Sequence, residues 1–283
     1  MKKQNVHDIT KDGYLARIEE LAKKAKDESH IITAEDVDEE AVHWDRCKKV
    51  WESYYEKMYK DCLELNDERL YNLNRLKGYA RRIRISEDCT EIVSGDVTFN
   101  FGKEKQRNLK YERYKAIIME SGSDATVKAY MLRKLDSCSE MNYSFENLTL
   151  MVTTGGLNLV KNNQGGNLDR PDAYIALLQK YFNPAEDDAE KKEYRHKVFS
   201  RSRNNEAYLH RWLKELELGG IKAYCQLFWA IDDEDFLKEM CELGKREIKS
   251  AYDVNDYMNL AIDFWEMRFN RFQLIINGSS STS

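Results

Sequence analysis

Residues 148–182 read LTLMVTTGGLNLVKNNQGGNLDRPDAYIALLQKYF. This stretch holds four of the chain's thirteen glycines and one of its two prolines, and charged, amphipathic segments flank it on both sides. Leu148–Val152 is a short apolar run with β-branched residues, suited to a buried extended segment. Gly155-Gly156 breaks that run, because paired glycine permits positive φ and close backbone approach. A second pair, Gly165-Gly166, follows after Lys161, Asn162, Asn163 and Gln164. Asp169-Arg170-Pro171-Asp172 then opens a helix in which Tyr174, Ile175, Leu177, Leu178, Tyr181 and Phe182 fall at helical spacing. Proline in the first turn costs no hydrogen bond, since that N–H has no partner anyway, and an Asp there suits the positive helix start.

Two readings of this central loop stand side by side. In the functional one it binds an anion: free N–H groups of a Gly-rich backbone next to a helix N-terminus attract phosphate or carboxylate. Gly155, Gly156, Asn158, Lys161, Gly165, Gly166, Asn167 and Arg170 would line it. Neither a G-x-x-x-x-G-K-[ST] nor a G-x-G-x-x-G pattern is present. In the other reading the loop is an irregular connection whose Gly and Asn residues supply turns.

Outward from the loop, the chain reads as helix after helix. Helices are expected at Gly13–Lys26, from about 41 to 65, from 67 to about 82, at Tyr111–Glu120 and at Asp124–Leu135. More follow at Asn205–Leu218, Ile221–Ile231, Asp232–Leu243 and Asp253–Phe272. In the second of these, Trp44, Cys47, Val50, Trp51, Tyr54, Tyr55, Met58 and Cys62 repeat at three and four, a stripe that reads as core. One region has strand character. Arg82–Ile85, Glu91–Val93 and Val97–Phe101 are short and β-branched, with a turn signal at Ser94-Gly95-Asp96 and Leu148–Val152 as a candidate extension. The fold class is therefore mostly α, or α+β: a multi-helix body with a small β-hairpin or partial sheet. An N-terminal helical region over 1–85 and a main helical domain over 86–283 are the expected division, with a soft boundary that also fits one domain. Residues 278–283 read as a flexible tail.

Length and composition set the class. A chain of 283 residues can bury a sizeable core. It is 42% hydrophobic and 34% charged, with a net charge of −5 that selects no partner. Six cysteines without a CxxC pair read as reduced thiols of a cytoplasmic protein. No secretory signal and no apolar run of membrane-spanning length are present, so no membrane partner is expected.

Positive charge gathers between Arg69 and Lys115, where twelve Lys or Arg face six Asp or Glu. Arg75, Arg81, Arg82 and Arg84 lie among Tyr79, Tyr111 and Tyr114. Basic residues beside aromatics can hold a nucleic-acid backbone and stack on bases. A solvated helix face explains the same pattern, and no established nucleic-acid-binding motif accompanies it.

Motifs for catalysis are absent. The five histidines form no HxxxH or HExxH pattern, so no metal site is expected, and no cofactor motif is present. His210 lies in an arginine-rich segment. With Asp169 and Asp172, which flank Arg170, it completes the candidate acid–base set, although a helix cap explains the two aspartates more simply. Whether the chain is an enzyme stays open, with the missing motifs weighing against it.

The order TTGGLN (Thr153–Asn158), then DRPD (Asp169–Asp172), then a late helix with Tyr257, Phe264, Trp265 and Arg268 resembles a group of uncharacterised proteins from Gram-positive bacteria and their phages and mobile elements. The resemblance covers roughly the second half of the chain. It implies a bacterial or mobile-element origin and carries no activity with it.

Three functions follow as expectations. The first is an interaction module of a bacterial or mobile-element system that binds and modulates a host protein complex or assembles with itself. The second is a nucleotide-type phosphate-ligand enzyme or sensor using residues 153–172. The third is a nucleic-acid binder using residues 75–84.

Overall fold

The computed structural model describes residues 9–28, 30–31, 84–87, 90–103, 110–147, 149–152, 170–182, 222, 225–226 and 229–276. Six helices run through them: α1 (Tyr14–Asp27), α2 (Lys110–Glu120), α3 (Ala125–Glu140), α4 (Pro171–Phe182), α5 (Glu234–Gly244) and α6 (Ala251–Ile276). The expected multi-helix body is present. The expected helices between 41 and 82 and at 205–218, and residues 153–169, lie outside the described residues.

Helix starts follow the capping rules. Gly13 takes the left-handed conformation with φ 76° and turns the chain into α1. Asp124 caps α3 by accepting from the Val127 N–H at 2.9 Å. Asp233 caps α5 by accepting from the N–H groups of Asp235 and Phe236, each at 3.0 Å. A capping box opens α6: Ser250 N–H donates to Asp253 Oδ2 at 2.8 Å, and Asp253 N–H donates to Ser250 Oγ at 3.2 Å.

Helix α6 is the axis of the core. Its 26 residues span about 39 Å at 1.5 Å per residue. Val254, Tyr257, Met258, Ala261, Phe264, Trp265 and Phe272 form its fully buried stripe. Ile18, Leu21, Ala22 and Ala25 of α1 join the same core, as do Met131, Leu135 and Cys138 of α3. An aromatic cluster fills the centre: the Phe99 ring lies 5.3 Å from Tyr257 and 5.2 Å from Phe264, and the Phe101 ring lies 5.4 Å from Tyr257.

Three strands, β1 (Arg84–Glu87), β2 (Thr90–Val97) and β3 (Thr149–Val152), pair antiparallel in the order β1-β2-β3. The hairpin expected to turn at Ser94-Gly95-Asp96 is not seen. Those residues lie within β2, where Ser94 pairs with Val152, Gly95 with Met151 and Asp96 with Leu150. Pairing from a neighbouring strand overrides the local turn preference. The strand expected at Val97–Phe101 also ends at Val97. Beyond it the backbone is irregular, and two side-chain amides take the place of a strand neighbour. Phe99 N–H donates to Asn147 Oδ1 at 2.9 Å, and Phe101 N–H donates to Asn142 Oδ1 at 2.8 Å.

Helices α4 and α5 pack closely. A β-carbon added at Gly244 would lie 2.1 Å from the Asp172 carbonyl oxygen, so only glycine fits that crossing.

Candidate functional site

Of the residues expected to act, Arg170 and Asp172 are the ones whose side chains the structure describes. They meet each other inside the protein. Arg170 is 6% exposed and Asp172 fully buried, and the guanidinium makes a two-pronged contact with the carboxylate through Nε and Nη2. Arg170 Nη1 also donates to the Arg246 carbonyl at 2.7 Å, and Nη2 to the Leu243 carbonyl at 3.2 Å. The guanidinium thus ties the start of α4 to carbonyls at and just beyond the end of α5, where Leu243 also accepts from the Arg246 N–H at 2.9 Å. The guanidinium stacks over the Tyr257 ring at 5.5 Å. Burial pushes the Asp172 carboxyl above its ordinary range, against the opposing pull of Arg170. Arg170 and Asp172 therefore clasp the start of α4 to the end of α5.

Gly155, Gly156, Asn158, Lys161, Gly165, Gly166, Asn167, Asp169 and His210 lie outside the described residues, as do Arg75, Arg81 and Arg82. Arg84 sits in β1, opposite Val93 of β2.

A polar cluster that sequence reading missed lies between α1, α3 and α6. Lys134 of α3 is fully buried. Its ammonium donates to Asn255 Oδ1 at 2.9 Å, to Asn259 Oδ1, and to Asp12 Oδ2 at 3.3 Å. The rings of Tyr14 and Tyr130 stand 4.9 and 5.8 Å from it. Burial holds the Lys134 pKa below its ordinary value, although Asp12 pulls the other way. Tyr130 OH donates to Asp12 Oδ1 at 2.6 Å and Tyr14 OH to Asp263 Oδ2 at 2.7 Å. Burial and then the carboxylate partner push both phenols up to about 12. Arg17 completes the edge, 2.6 Å from Asp263 and paired with Glu266.

The signal for Lys134 was present in the sequence. It falls on the apolar stripe of α3 formed by Val127, Met131, Leu135 and Cys138, where a solvated lysine would not be placed. Asn255 and Asn259 carried a weaker sign, four apart on the inward side of α6. The arrangement can hold a charge in place, but each of its donors and acceptors named above answers another within the protein. Among the described residues no group of three or more His, Cys, Asp or Glu is arranged to hold a metal ion.

Among the described residues, a cleft of about 740 Å³ opens between the α2–α3 turn and the start of α6. Ile117, Ala251 and Tyr252 give it apolar walls, and Glu120, Ser121, Asp124, Lys249 and Ser250 a polar border. Tyr252 is 36% exposed, and Met119, on the last turn of α2, is 52% exposed. Most of the border's polar groups already serve the protein itself. Ser121 Oγ donates to the Ile118 carbonyl at 2.7 Å, Asp124 caps α3, Ser250 belongs to the capping box, and Lys249 pairs with Glu247. Gly122 borders the cleft, and nothing lies within 4 Å of a β-carbon placed there.

No described helix is long and apolar enough to cross a membrane. No protein-family model, curated protein or solved structure matches the chain.

Proposed function

We propose that this chain is a protein-interaction module, of the bacterial or mobile-element kind that its sequence resembles, and that it receives a partner protein in the cleft between the α2–α3 turn and the start of α6. The observation that carries this reading is the pairing of an apolar wall that includes the exposed Tyr252 with a border where Ser121, Asp124 and Ser250 are occupied by hydrogen bonds to the protein itself. A small-ligand site needs a few polar groups converging on the ligand. This cleft instead offers Tyr252, Ile117 and neighbouring Met119 to an apolar side chain of a partner, and exposed aromatic and Met positions are the ones interfaces favour. Arg170, central to the phosphate-ligand reading, spends donors from Nε, Nη1 and Nη2 inside the protein.

The test uses Gly122→Trp, which adds a large side chain at the cleft border, where a β-carbon meets nothing within 4 Å. Tagged wild-type and variant chains are compared in nuclease-treated bacterial lysate by quantitative mass spectrometry, after their melting curves are shown to agree. The expected result is a discrete protein partner held by the wild type and lost from the variant. Equal capture by both chains, or a complex that disappears with nuclease, would reject the cleft as the site.

A further inference from the structure

His30 and Glu146 are 2% and 0% exposed, and His30 Nδ1 lies 2.6 Å from Glu146 Oε1. The other carboxylate oxygen, Glu146 Oε2, is buried with no hydrogen-bond partner. A buried carboxylate with one oxygen bare is costly unless a cation or a proton neutralises it. The imidazole is the neutralising group at hand. Its ring is packed by Phe145 and Phe269, each 5.8 Å away between centroids.

The same residues fasten the chain after α1 to the body. His30 N–H donates to the Ala25 carbonyl at 2.7 Å, and Phe145 N–H donates to the His30 carbonyl at 2.9 Å. Ile31 bridges to Ser144 in antiparallel fashion. On the far side, Arg268 of α6 donates through Nε to the Glu146 carbonyl at 2.6 Å and fixes the backbone that carries the carboxylate. The charged groups acting on His30 are thus Glu146 from the turn after α3 and Glu28 from its own segment, with Arg268 behind Glu146.

We propose that the His30–Glu146 pair is a proton-operated latch: it holds His30 and Ile31, the segment that follows α1, against the turn after α3 while the pair carries its proton, and releases them when that proton leaves. Loss of the proton leaves an uncompensated negative charge in an aromatic pocket. Opening the segment lets water solvate that charge.

The direction of the pH effect follows from the balance at His30. Burial disfavours the imidazolium, yet Glu146 and then Glu28 outweigh it and hold the pKa above the ordinary 6.5. A raised pKa gives stability that is complete below 6.5 and is lost as pH rises through the folded value. In that window the opening equilibrium of the segment increases about tenfold per pH unit.

Hydrogen exchange of the full chain between pH 6 and 9 tests the latch, with the His30 and Phe145 amides read against those of α6 to remove the intrinsic pH dependence. The expected result is a loss of their protection above pH 6.5 in the wild type and a flat profile in Glu146→Gln, whose neutral amide removes the charge. The same pH profile in both chains would overturn the proposal. A histidine ring NMR titration of the wild type, with the His30 signal identified by its absence in His30→Gln, decides the matter independently of how Glu146→Gln folds. A His30 midpoint above 6.5 supports the latch, and one at or below 6.5 overturns it.

Discussion

Trp265 Nε1 donates to Asn147 Oδ1 at 3.0 Å, and this bond joins the central helix to the irregular segment through Phe99 and Phe101. The same Asn147 oxygen accepts from Phe99 N–H at 2.9 Å. The Asn147 amide nitrogen donates to the carbonyls of Phe99 and Asn142, at 2.8 and 2.9 Å. One buried side chain therefore satisfies four polar groups that have no regular partner.

Asn147→Ala should be among the most damaging single changes in this protein. It leaves several buried donors and acceptors unmet at about 1–3 kcal/mol each before relaxation, so a loss of about 3 kcal/mol or more is expected. Urea unfolding followed by tryptophan fluorescence checks it, and a loss below about 1 kcal/mol would show that the hub does not hold the segment.

Arg170→Met should cost about 3–5 kcal/mol, because it strands Asp172 as a buried, unpaired carboxylate. Changing Asp172 to Asn in the same chain should recover part of that loss. A double-mutant cycle measures it, and simple additivity of the two changes would deny the coupling.

The two glycines discussed above should behave oppositely. Gly244→Ala drives a methyl group into the Asp172 carbonyl and should cost about 1–3 kcal/mol or more as overpacking. Gly122→Ala meets open space and should stay within about 0.5 kcal/mol. Thermal melts of the pair side by side decide this, and equal effects would be inconsistent with the close α4–α5 crossing.

Lys134 should give a pH signature opposite in sign to that of His30. Its pKa is depressed by burial, so the unfolded chain binds the proton more readily in the window between the folded value and the ordinary 10.5. Stability arising from this group should therefore rise with pH across that window. The difference in urea midpoint between wild type and Lys134→Met, measured up to pH 10.5, should grow in favour of the wild type. A difference that does not change with pH would mean the ammonium is not held against its desolvation cost.

The helical body was legible in the sequence because its signals are local. Apolar spacing marked α1 through Ile18, Leu21 and Ala25, and α6 through Val254, Tyr257, Ala261 and Phe264. The helices expected at Asp124–Leu135 and Asp232–Leu243 correspond to α3, capped by Asp124, and to α5, capped by Asp233. Local preference misled where partners come from afar. Ser94-Gly95-Asp96 reads as a turn, yet β3, more than fifty residues on, draws it into a strand pair. Arg170 reads as a residue lining the anion loop, and in the structure Asp172 and the carbonyls of Leu243 and Arg246 hold it in the interior. The buried Lys134 and His30 make hydrogen bonds with Asp12, Asn255 and Glu146, residues more than one hundred positions away. Sequence by itself determined where the chain can coil and which faces must be buried, since both depend on residues within one or two turns. Only the tertiary structure decided which buried charges meet, because desolvation and charge pairing depend on distance in space and not along the chain.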